Sequence, residues 1–160
     1  MRPIQWPAPA DCMKTVHKSV LIWYSAAEMF ALVTDIARYP QFLPWCDQAR
    51  VLEETADGVV ARIGIAFAGI RQSFTTRNTH EADRRVTLQL LDGPFSRLDG
   101  AWEFSPVGVG AERACKVDLV LRYDFDNMAL AALVGPVFGK IAGSLVDAFV
   151  KRASVVYRDV

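Results

Sequence analysis

Residues 113–125 read RACKVDLVLRYDF, and their pattern decides the architecture. Cys115, Val117, Leu119, Leu121, Tyr123 and Phe125 fall on one face of an extended chain. Lys116, Asp118, Arg122 and Asp124 fall on the other, with Val120 the exception. Successive side chains of a strand point to opposite faces, so this segment is an antiparallel strand with one dry side and one wet side. A dry face needs a cover, and the chain supplies one directly downstream. Residues 127–134, NMALAALV, have helical character, Gly135-Pro136 interrupt it, and Pro136 suits the first position of a new helix. From there Val137, Phe138, Ile141, Leu145, Val146, Phe149 and Val150 recur at helical spacing, while Lys140, Asp147, Lys151 and Arg152 lie largely elsewhere on the helix. A helix of roughly 20 residues is about 30 Å long, enough to cross a whole sheet.

Upstream, the same alternation recurs. Residues 14–24 read as a first strand, and 47–55, 59–68, 70–79, 84–91 and 98–105 as five more before the one already described. Asp57-Gly58 is the expected turn between 47–55 and 59–68. Between the first two strands Ser25 and Glu28 have capping-box spacing, and Met29, Phe30, Leu32, Val33 and Ile36 form a helical apolar stripe that Pro40 is expected to end. The order is strand, helix pair, six strands, long helix. That is an α+β two-layer arrangement, a curved antiparallel sheet with its helices on one face. A strongly twisted sheet around a long helix can leave an apolar gap between them.

The 160 residues are 52% hydrophobic, which is a folding composition. Residues 1–12 differ: Pro3, Pro7 and Pro9 read as an N-terminal extension, and Met13 opens the patterned segment, so the domain is expected over 13–160 with Met13 as an alternative start. Lys plus Arg and Asp plus Glu are 18 each, so the formal charge is zero and lacks the basic excess of a protein that grips nucleic acid by its phosphates, DNA is not an expected partner, and a local patch can still hide in a neutral total. Cys12, Cys46 and Cys115 form no C-x-x-C pair, and His17 and His80 are far apart, so no metal site is expected. Apolar runs are broken by Gly, Pro or charge before the ~20 residues that span a bilayer. The N-terminus has no apolar signal core. These features suggest a reducing, cytoplasmic setting, with contact at the face of the inner membrane left open.

The candidate site is the gap itself. Phe67, Phe74, Leu90, Trp102, Phe104, Leu119, Leu121 and Tyr123 occupy alternating positions suited to one concave face, opposite Phe138, Ile141, Leu145 and Phe149 of the helix. The loop YPQFLPWC, residues 39–46, adds Phe42 and Trp45 as a wall or lip. Sites for small apolar molecules are mostly apolar with a few polar anchors, and Arg71 and Arg77 are the anchor candidates. No Ser-His-Asp or Cys-His arrangement and no acid–base pair can be assembled from spacing, so no catalytic residue is assigned and no cofactor is required.

SAAEMFALVTDIARYPQFLPWC (25–46), LLDGPFSRLDGAWEF (90–104) and VDAFVKRASVVY (146–157) resemble the coenzyme Q-binding START-like family (polyketide cyclase/dehydrase, SRPBCC), which includes the bacterial ribosome-association toxin RatA. YPxFLPWC and GPFxxLxGxW carry the resemblance most specifically. It implies a helix-grip, START/Bet v 1-like fold with a hydrophobic cavity. For part of the family it implies non-catalytic binding of ubiquinone or a related isoprenoid lipid in support of respiratory electron transport. For the RatA branch it implies binding to the 50S ribosomal subunit and a block on subunit association. The first reading is preferred here, because the gap-lining pattern adds to it. A ribosome binder needs a basic surface, and Lys140, Lys151, Arg152 and Arg158, with Arg84 and Arg85, are the candidates. Helix-grip domains also host polyketide aromatase/cyclase chemistry, the third reading.

Overall fold

A computed structural model describes residues 13–108 and 113–157. The expected extension over residues 1–12 and Arg158 lie outside the described residues. β1 (Lys14–Ile22) leads to α1 (Ala26–Thr34) and a 3₁₀ helix (Ile36–Gln41). Then come β2 (Cys46–Thr55), β3 (Gly58–Phe67), β4 (Ile70–Glu81), β5 (Arg85–Asp92), β6 (Phe95–Pro106) and β7 (Cys115–Phe125), and finally α2 (Met128–Val156). The seven strands form one antiparallel sheet in the order β1-β7-β6-β5-β4-β3-β2. The chain therefore returns its first strand beside its last, and α2 lies over the concave face. The expected α+β helix-grip arrangement is the one observed.

Four details differ from the sequence reading. The turn after β2 is Ala56-Asp57, and Gly58 is already paired with Thr55 and Thr79. Gly58 is there for close approach: a Cβ would sit 1.8 Å from the Asn78 carbonyl oxygen. α1 ends at Thr34 and Pro40 lies inside the 3₁₀ helix, so this proline shapes the second turn and does not end the first helix. β6 begins at Phe95, three residues before the expected start, because Gly93-Pro94 complete the bend by themselves. Finally, α2 runs unbroken through Gly135-Pro136. Proline's fixed φ is a helical φ, and its cost is the lost hydrogen bond to residue i−4. That residue is Ala132, which is exposed, so water can take the carbonyl. By length and mean composition α2 is apolar enough to cross a bilayer, although Gly135, Pro136, Gly139 and Lys140 interrupt its apolar run as the sequence indicates. In the fold its buried residues, among them Val134, Phe138, Ile141, Ala142 and Phe149, pack into the core.

Two aromatic clusters pin α2 at separate points. Towards its start, Phe138 meets Tyr123 at 4.7 Å and Phe95 at 5.0 Å, and Phe95 stacks on Phe125 at 5.0 Å. Towards its end, Phe149 meets Phe42 at 5.1 Å, Trp102 at 5.2 Å and Tyr39 at 5.4 Å. Asn127 caps the helix, its side-chain oxygen accepting from the Leu130 amide at 2.9 Å.

The N-terminus of α1 is tied to the far end of α2. Ser25 and Glu28 form the expected capping box, with bonds of 2.9 and 3.0 Å. The Arg113 guanidinium donates to both carboxylate oxygens of Glu28, at 2.8 and 2.6 Å, and lies 5.2 Å from the Tyr24 ring centre. The Tyr157 hydroxyl donates to the Glu28 carbonyl at 2.9 Å. The hydrogen bond from Arg113 holds the Glu28 carboxyl below its ordinary pKa, against the opposing push of burial. A depressed carboxyl contributes stability above its unfolded pKa and loses it as pH falls through the folded one. Glu28→Gln should therefore narrow its melting-temperature gap to the wild type between about pH 5 and pH 3. Curves that stay parallel over that range would show that Glu28 does not couple to the fold.

Candidate functional site

Between the two aromatic clusters α2 stands off the sheet and leaves a cavity of about 100 Å³. Its sheet side is built by Ile63 and Ile65 of β3, Phe74, Thr76, Asn78 and His80 of β4, Val86 and Leu88 of β5, Leu98 and Trp102 of β6, and Leu119 and Leu121 of β7. Phe138, Ile141, Ala142, Leu145 and Phe149 of α2 roof it, and Val33, Ile36, Tyr39 and Trp45 close one end. Proline geometry in YPQFLPWC brings Tyr39 and Trp45 to that wall. The Tyr39 hydroxyl donates to the Val33 carbonyl, and burial pushes its pKa up.

The lining is apolar except for a line along β4. Thr76, Asn78 and His80 point inward at successive alternate positions, at the same parity as Phe74. The Thr76 hydroxyl donates to the Asn78 side-chain oxygen at 2.7 Å. His80 Nε2 is buried and has no hydrogen-bond partner among the described residues. Burial lowers the His80 pKa below its ordinary value, partly opposed by Asp57, so the ring is neutral near pH 7 and can donate or accept one hydrogen bond. This stripe can orient a molecule carrying a carbonyl or hydroxyl group.

Of the residues expected at the gap, Trp45, Phe74, Trp102, Leu119, Leu121, Phe138, Ile141, Leu145 and Phe149 border the cavity. Six do not. Arg71 and Arg77 project from the opposite face of β4, and Arg71 pairs with Asp47 at 2.8 Å. They share a strand with the polar stripe but have the wrong parity. Phe67 closes β3 beside the turn at Ala68-Gly69 and is 40% exposed, beyond the reach of α2. Leu90 faces the core but lies where the β4–β5 register slips between Thr75 and Thr76, outside the cavity. Tyr123 is buried under Phe138, in the cluster that seals the end of the cavity. Phe42 packs on the outer side of Phe149 and lines a surface hollow with Arg152. Thr76, Asn78 and His80 were missed, although the inward setting of Phe74 already fixes their direction.

The chemistry near the cavity is sparse. Cys46 and Cys115 are buried, and burial raises each thiol to about 11, so neither is a thiolate at neutral pH. No group of three or more His, Cys, Asp or Glu residues that could hold a metal is present among the described residues.

The sequence profile of the family described as polyketide cyclase / dehydrase and lipid transport matches residues 22–150. The chain belongs to this family. Within it, the chain is 41% identical over 145 residues to the ribosome association toxin RatA of Vibrio cholerae, covering 91% of this chain and 99% of that one. The RatA of Escherichia coli is 38% identical, with 91% and 90% covered. A coenzyme Q-binding protein COQ10 homolog B of Xenopus laevis is 25% identical over 88% of this chain and 58% of its own length. Among solved structures, the Zhui aromatase/cyclase of a Streptomyces species superposes with a TM-score of 0.80 at 16% identity, covering 92% of this chain and 97% of that one. At that identity the likeness shows the polyketide cyclase fold alone.

Proposed function

We propose that this chain is a ribosome-association factor that binds the large ribosomal subunit and hinders the joining of subunits. The observation that carries the reading is 41% identity with a ribosome association toxin across nearly the whole of both chains. The quinone relative shares less sequence and much less of its own length. This reverses the preference drawn from the sequence alone. The gap-lining residues that favoured a quinone carrier describe a cavity of about 100 Å³, against roughly 300–1,000 Å³ for the pockets of drug-sized ligands. A cavity of that size suits a small apolar group better than a polyprenyl chain with its headgroup.

Co-sedimentation with purified large subunits tests the reading. Binding is expected at about 50 mM monovalent salt and release at several-fold higher salt, because phosphate contacts release counterions. Absence from the subunit fraction at both salts would sink it. A second reading, capture of a carbonyl- or hydroxyl-bearing lipid, is favoured by the polar stripe Thr76-Asn78-His80 inside an apolar wall. Ala142 is fully buried in the cavity roof, so Ala142→Leu should fill the space. We expect that variant to keep subunit binding and to take up no added ubiquinone. Loss of subunit binding in a folded Ala142→Leu protein would instead make the cavity part of the ribosomal role.

A further inference from the structure

We infer that Arg50, Arg62 and Arg77, on the convex face of β2, β3 and β4, form a phosphate-binding surface for RNA. The inference rests on the ribosome reading for its choice of partner. It starts from register. Arg62 lies between Ala61 and Ile63, both buried on the cavity side, so it projects outward. Arg50 is directly opposite Arg62 across the β2–β3 ladder and shares its face. Arg77, between the inward Thr76 and Asn78, projects the same way from β4 opposite Val60, one alternate position along β3 from Arg62. All three are exposed.

Like charges directly opposite in a ladder destabilise it. The usual remedy is a neighbouring carboxylate, and other arginines on this face have one. Arg71 pairs with Asp47 at 2.8 Å, Arg85 with Glu103 at 2.9 Å and Arg122 with Asp99 at 3.1 Å. Arg50, Arg62 and Arg77 make no ion pair within 4.0 Å among the described residues. Glu53, opposite Val60, and Asp47, whose carboxylate lies over Gly64 and pairs with Arg71, are acids near them on this face, and neither pairs with any of the three. Arg62 is held in place by a 3.2 Å bond from its Nη2 to Ser73 Oγ on β4. Three guanidinium groups are thus gathered on adjoining strands without compensation, on a rigid element, in a chain of zero formal charge. Guanidinium forks suit phosphate oxygens, and RNA duplexes are bound largely through backbone and shape.

Four of the basic residues expected from the sequence, Arg85, Arg152, Lys140 and Lys151, are less suited. Arg85 is held by Glu81 and Glu103, and Arg152 donates to Gln41 at 3.0 Å and lies over the Phe42 ring. Lys140 and Lys151 are exposed on α2 with Asp147 between them.

The test compares wild type with a triple variant, Arg50→Gln, Arg62→Gln and Arg77→Gln, and with a control, Lys140→Gln and Lys151→Gln. Each is measured on purified large subunits and on a labelled RNA duplex of about 16 base pairs. The triple variant should bind more weakly, and its slope of log affinity against log salt should be about 2.7 shallower, near 0.9 for each phosphate contact removed. The control should track wild type. The triple variant should melt at or above wild type, because it relieves the opposed charges, so weaker binding is not unfolding. Wild-type affinity and salt slope in the triple variant would overturn the surface and leave the ribosome reading standing. Arginine-dependent binding to the duplex without binding to subunits would uphold the surface and overturn the ribosome reading. Wild-type binding to neither would overturn both.

Discussion

Phe149→Ala is expected to destabilise the chain by about 3–5 kcal/mol, the range for truncating a buried aromatic ring. At this chain length that corresponds to a fall in melting temperature of roughly 10 °C. Phe149 is 1% exposed and meets Tyr39, Phe42 and Trp102 within 5.4 Å. It joins α2, the 3₁₀ helix and β6 at one point, and it is also a wall of the cavity. Its removal leaves the neighbouring rings without contacts and merges the new void with the existing one. Partial collapse is therefore difficult, which places the cost high in the range. Urea unfolding measures it directly. A loss under about 1 kcal/mol would mean that this end of α2 is not anchored through Phe149.

Gly100→Ala is expected to cost about 3 kcal/mol or more, as an overpacking defect against backbone. Gly100 lies opposite Leu121 in the β6–β7 ladder, and a Cβ there would sit 2.2 Å from the Val120 carbonyl oxygen and 2.8 Å from Leu121 Cδ2. The leucine side chain can rotate, but the carbonyl can retreat only if the ladder opens. The matched control is Gly143→Ala on α2, where a Cβ meets nothing within 4 Å and alanine favours the helix. Urea unfolding should separate the two variants by at least about 3 kcal/mol, and equal midpoints would refute the steric account.

The strands, the two-layer order and the capping box were legible because each is a local pattern. Ser25 and Glu28 need only be three residues apart, and Cys115 to Phe125 need only alternate. Parity is legible too: an inward Phe74 makes 76, 78 and 80 inward and 71 and 77 outward, so the anchors expected at Arg71 and Arg77 conflict with the alternation of their own strand. Other errors have non-local causes. The register slip beside Thr75 removes Leu90 from the cavity, and the Phe95–Tyr123–Phe138 cluster decides where the cavity ends. Neither can be read from one segment. Gly135-Pro136 have the local pattern of a helix start, but α2 continues through them, with the carbonyl that Pro136 leaves unbonded belonging to exposed Ala132. The opposition of Arg50 and Arg62 is a pairing across a hairpin whose strand slips twice, so counting outward from the turn does not find it.

An open sheet has two rims, and unpaired backbone along a rim is a template for another copy of the same chain. Here the rims are β1 and β2. β1 carries exposed Lys14, His17 and Lys18, so a second β1 laid alongside would bring lysines together. β2 slips register between Cys46 and Gln48 and again between Val51 and Glu53, which interrupts the row of groups an incoming strand would have to match. Glu53 and Glu54 add charge at the second slip. One rim is defended by charge and the other by irregularity, so edge-to-edge pairing of strands into filaments is disfavoured from both sides.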